Sequence, residues 1–163
     1  MSATGVWRGL TKLSPLLVCL LLSSPAWGMD LALTGAWRLS SGPGEVVAGS
    51  DLPSSYESTS GEMAAAVLNT TGTEDAWRVD ISGSGTSWPA ALHLFARRTG
   101  DGLGAGLIQD GGSYQELTAV SASFFSGTGD RTDIPLQLRL TGVSIQIPPG
   151  NYTATVVCTV VDL

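Results

Sequence analysis

The stretch Asn151-Tyr-Thr-Ala-Thr-Val-Val-Cys-Thr-Val-Val161 constrains this chain more than any other. It is rich in β-branched residues, has no internal Gly or Pro, and follows Pro148-Pro149-Gly150. That composition predicts a long strand leaving a tight turn. Side chains alternate across a strand, so Tyr152, Ala154, Val156, Cys158 and Val160 share one face. That face is apolar throughout, while the opposite face is mixed. A strand of this kind needs a sheet on either side and a core on one face.

The N-terminus bears on compartment. Arg8 and Lys12 precede a short apolar run, Leu16-Leu17-Val18-Cys19-Leu20-Leu21-Leu22, and small residues Ala26 and Gly28 follow. This is the pattern of a secretory signal peptide, too short to span a bilayer as a helix. Cleavage is expected after Gly28, giving residues 1–28 as leader and 29–163 as one domain. The alternative is an amphipathic N-terminal anchor. A lipoprotein signal wants a small residue before its Cys, and Val18 before Cys19 is not small.

Once the leader is removed, six arginines (Arg38, Arg78, Arg97, Arg98, Arg131 and Arg139) face 14 Asp and Glu, a net charge of −8 with no lysine. An acidic chain without a basic cluster argues against nucleic acid and against anionic lipid as partners. Of the two cysteines, only Cys158 remains, so no disulfide forms within the mature chain. Stability must come from the core or from partners, and Cys158 reads as a small buried hydrophobe.

Alternation recurs along the rest of the chain. Leu31, Leu33, Gly35, Trp37 and Leu39 make one face of a strand closed by Gly42-Pro43-Gly44. Residues 41–61 read as linker or loop, long for a compact domain. Further strands are expected at 62–68, where Ala64 to Ala66 leave a helix open as the alternative, and at 76–82, 91–98, 113–120 and 134–141. Trp77, Val79 and Ile81 face inward, as do Leu92, Leu94 and Ala96, and Leu136, Leu138 and Leu140. Leu107-Ile108 is a candidate short strand, and 126–133 reads as a polar loop. With no amphipathic helix, the expected fold is all-β: an immunoglobulin-like antiparallel β-sandwich of about seven strands. The Cys…Trp…Cys core of antibody domains is missing, so the likeness is one of architecture.

Constellations for catalysis are scarce. His93 is the single histidine, there is no G-x-S-x-G elbow, and one mature Cys with one His cannot build a zinc site. No enzyme activity or cofactor is expected. For a metal, the candidates are Asp101, Asp110, Asp130 and Asp133, whose glycine-rich loops could converge on calcium. Asn69-Thr-Thr and Asn151-Tyr-Thr match the glycosylation sequon.

The tail from Pro148 through Tyr152 to Val156 resembles the closing P-x-G-x-Y-x-x-x-V strand of bacterial secreted β-sandwich proteins, among them spore coat protein U-like fimbrial subunits and WxL-type surface domains. The strand Leu31–Leu39, with Gly35 among alternating apolar residues, is similar to the N-terminal donor strands of pilin subunits. The paired cysteines common in pilins and the WxL tripeptide are missing. The resemblance implies a non-enzymatic subunit of an extracellular fibre, pilus or coat, with Leu31, Leu33, Gly35, Trp37 and Leu39 as the assembly strand. Its partners would be copies of itself or another surface protein, with membrane contact only through the export signal. Two geometries are open for residues 29–40: a place in their own sheet, or exchange into a neighbour. The alternative function is a carbohydrate- or surface-binding module, with Tyr56 and Trp88 as stacking residues in loops.

Overall fold

The computed structural model describes residues 16–19, 28–40, 52–84 and 88–163. Among them the chain is all-β, without a helix. Its strands are β1 (Leu16–Cys19), β2 (Asp30–Gly35), β3 (Ser55–Glu57), β4 (Met63–Leu68), β5 (Ala76–Ser84), β6 (His93–Arg98), β7 (Ile108–Asp110), β8 (Gln115–Glu116), β9 (Ala122–Thr128), β10 (Arg131–Thr141) and β11 (Thr153–Asp162). One sheet runs β1-β11-β5-β9-β7 and the other β2-β4-β10-β6-β8, with β3 also on β10. Every pairing is antiparallel except β1 with β11.

The two sheets share one core, and the alternation explains why. Trp77, Val79 and Ile81 of β5, Val156 and Cys158 of β11, and Leu136, Leu138 and Leu140 of β10 all turn inward and are buried. Each such side chain contributes about 1.5–3 kcal/mol when fully buried. Trp77 sits at the centre, edge-on to Phe125 with ring centroids 6.0 Å apart, and its indole N–H donates to the Gly129 carbonyl at 2.8 Å. That bond satisfies a polar group which burial would otherwise penalise.

The long strand at the C-terminus lies where alternation places it. It pairs with β5 from Thr155↔Ser84 to Asp162↔Trp77. Tyr152 anchors its start, its hydroxyl donating to the Pro148 carbonyl at 2.5 Å.

Four regions differ from the sequence reading, the first being the strand expected over Leu31–Leu39, which ends at Gly35 where φ turns positive. The strand expected over 113–120 is only the two-residue β8, and part of the expected loop 126–133 is strand. The missing strand is β9, where adjacent Phe124 and Phe125 are both buried. A bulge makes this possible: Val79 opposes Phe125 and Asp80 opposes Ser123, so Phe124 is the extra residue. A second bulge lies in β10, between Arg131↔Val67 and Ile134↔Ala65, where Asp133 takes φ 52°. Within the expected loop 41–61, residues 41–51 lie outside the described residues. Residues 55–57, however, form β3 against Arg139–Thr141, and buried Ser58 accepts the Leu138 N–H on its hydroxyl.

Candidate functional surfaces

Residues 30–35 occupy their own sheet. Six rungs, Asp30↔Leu68 to Gly35↔Met63, hold β2 on β4. Leu33 and Trp37 are buried, Leu31 and Leu39 half-buried, so the apolar row is covered within the molecule. Gly35 is required where it stands: its φ is +95°, and a Cβ there would lie 2.1 Å from the Glu62 carbonyl oxygen.

The side chains singled out as aromatic platforms are both half-buried against the core. Tyr56 is in β3, not a loop. Trp88 donates its indole N–H to the Leu92 carbonyl at 2.7 Å. It lines a small cleft of about 100 Å³ with His93, Glu116 and Leu117. His93 points outward from β6 and meets Glu116 through Nδ1 at 2.6 Å, with both side chains about half exposed.

The four aspartates do not converge. Among the described residues, no three His, Cys, Asp or Glu side chains group as metal ligands. Asp101 pairs with Arg98, and the Asp130 carboxylate accepts the Thr70 hydroxyl at 2.7 Å and its N–H at 2.9 Å. Asp110 and Asp133 are left-handed backbone positions, with φ of 64° and 52°. Short polar side chains tolerate that conformation, which gives a backbone reason for aspartate at both.

The densest polar cluster lies on the outer face of the second sheet, and sequence inspection does not reveal it. Tyr114, from the loop before β8, is flanked by two guanidiniums, with Arg139 Cζ 3.6 Å and Arg97 Cζ 4.6 Å from the ring centroid. Such contacts attract the cation to the ring face. Arg97 donates twice to the Gln137 amide oxygen, at 3.0 and 2.7 Å. Arg139 donates to Glu57 at 2.8 Å, which holds the Glu57 carboxyl below its usual range. The Tyr114 hydroxyl is buried, and among the described residues no partner meets it in full hydrogen-bond geometry, although the Glu57 carboxylate is close enough to act on it. Burial pushes its phenol up; the Arg97 charge opposes the rise and Glu57 adds to it. The cluster clamps the β7–β8 connection onto the sheet. Its only sequence signal is that Arg97, Gln137 and Arg139 fall on outward positions; their meeting depends on the β6–β10 register.

The remaining surface is the edge at β11. Residues 16–19, from the expected leader, pair in parallel with Thr153–Val156 and also run close to β2 of the other sheet. The outermost strands elsewhere are shorter than β11, which has ten residues: β2 has six, β7 three and β8 two. Among the described residues, no helix is long and apolar enough to cross a membrane. No family model, curated protein or solved structure matches the chain.

Proposed function

We propose that this chain is a secreted, non-enzymatic structural or interaction protein: an immunoglobulin-like β-sandwich that assembles by strand addition, as a subunit of an extracellular fibre, pilus or coat. One observation carries this reading. The outermost strand on β11 is the apolar segment Leu16–Cys19, which a signal peptidase would remove with the leader. Its removal leaves an edge strand of ten residues ready to take another strand. The Tyr152 hydroxyl bond back to Pro148 supports the immunoglobulin-like architecture, where a tyrosine at a strand start commonly ties back to the backbone just upstream. Because β2 is fully paired with β4, assembly by exchange of residues 29–40 would have to break those rungs. Addition to an edge would not.

The test is sedimentation velocity on protein recovered after export, with its intact mass checked. Association that grows with concentration, and a mass that begins at Met29, are expected. A monomer at every concentration, or a retained leader, would overturn the reading. The Trp88 cleft favours carbohydrate binding as a second reading. It predicts saturable quenching of tryptophan fluorescence by a glycan, abolished by Trp88→Ala.

A further inference from the structure

We infer that the partner of the β11 edge is the β11 edge of a second copy, the two strands pairing antiparallel about a two-fold axis. The inference rests on the proposed export and self-association and adds the surface and its symmetry; because a two-fold contact closes at two copies, the pair is then the unit that a fibre, pilus or coat would repeat. Four observations lead there. The edge already holds a strand in this structure, four residues paired with Thr153–Val156, so its geometry admits one. From Thr153 to Val161 there is no charged residue, no Pro and no Gly. Exposed edges are ordinarily blunted by Lys, Pro, bulges or brevity. The opposite edges are blunted in those ways: β8 is two residues long with Glu116, and β7 is three residues ending at Asp110 in a left-handed conformation. The edge of β2 is shorter, bounded by Asp30 and by Gly35 with φ +95°.

A second copy suits this edge better than an exchanged segment. Both β11 strands are already extended and held by β5, so neither sheet has to release a strand. Donation of β2 would cost its six rungs with β4. The antiparallel arrangement is also slightly more stable per residue than the parallel one that the leader segment makes. A patch meeting itself about a two-fold is the commonest way identical chains associate. The first sheets of two copies then run on as one sheet through the junction. The row Thr153, Thr155, Val157 and Thr159 on each copy lies on one outer face of that sheet.

The register can be read by cysteine substitution in exported protein carrying Cys158→Ala. Single cysteines at Thr153, Thr155, Val157 and Thr159 are oxidised in turn. A two-fold pair predicts disulfide-linked dimers strongest at one position and falling away on both sides, since only the residue nearest the axis meets itself. A lysine substitution at whichever of these four positions cross-links most strongly should weaken the dimer at least about tenfold by setting like charges directly across the junction. The unfolding midpoint, taken at a concentration where the parent is monomeric, should stay unchanged. Equal cross-linking at all four positions would mean parallel, in-register pairing and would overturn the inference. Association that survives the lysine substitution at the strongest cross-linking position would overturn the inference while leaving self-association standing. A monomer at every concentration would overturn both.

Discussion

Single side chains in this protein serve mainly to tie connections down. Asp130, at the turn from β9 to β10, accepts both the hydroxyl and the N–H of Thr70 from the turn after β4. Those bonds favour its charged form and hold its pKa below the ordinary aspartate value. Glu57 is shifted the same way by Arg139. A carboxylate whose folded-state pKa is depressed contributes stability that is present above its unfolded pKa. That contribution is lost as pH falls through the depressed folded value. Both groups are well solvated, so the loss should be a graded fall in urea midpoint below about pH 4, not abrupt collapse. Thr70→Ala should lower the midpoint at neutral pH and flatten the acid limb. An acid limb as steep in Thr70→Ala as in the parent would show that the Asp130 contact contributes nothing.

Among the elements, β9 shows where sequence legibility stops. Its glycine, Gly127, lies under the Trp77 ring; a Cβ there would stand 2.6 Å from the indole and 2.7 Å from the Leu107 carbonyl oxygen. The clash involves a fully buried ring and backbone, neither of which has room to yield. Gly127→Ala should cost about 1–3 kcal/mol through overpacking, and Gly127→Val more, measured as the shift in denaturation midpoint. A neutral Gly127→Ala would mean that Trp77 can move, and the central packing would need revision. Strands that bury alternate residues, such as β5 and β10, could be read directly from period two. The strand β9 could not, because its bulge brings Phe124 and Phe125 inward together and removes that period. Strand β3 is too short for any period to show. The same limit hid the cluster around Tyr114. Outward Arg97 and Arg139 are visible locally, but Gln137↔Arg97 and Arg139↔Phe95 are facts of register between strands some 40 residues apart. The β2 row was legible as something to be buried. What sequence left open was the molecule in which it would be buried; in the single chain residues 30–35 pair with β4.

For the whole molecule, the order of strands matters more than their number. Every connection from β4 to β11 passes from one sheet to the other, so no two consecutive strands in that run are sheet neighbours. The tight β9–β10 link is no exception: the two strands lie in different sheets, with the Gly129 carbonyl at their junction accepting the Trp77 indole N–H. No local hairpin is therefore available to nucleate this part of the fold. The central pair β5–β11 joins residues far apart in sequence, so loop-closure entropy is lost before those contacts return any stability. Proteins dominated by such pairings fold in about milliseconds to seconds, against microseconds for local topologies. Refolding from denaturant, followed through tryptophan fluorescence, should accordingly be slow. Trp77 should become buried in the same phase that protects the amides of both β5 and β11 in pulsed hydrogen exchange. Early protection of β5 and β9 with β11 still open would place the nucleus in the β5–β9 pair. Joint protection is expected instead, because the inward faces of β5, β9 and β11 meet the β10 row in one core, and no sheet can bury its own face alone.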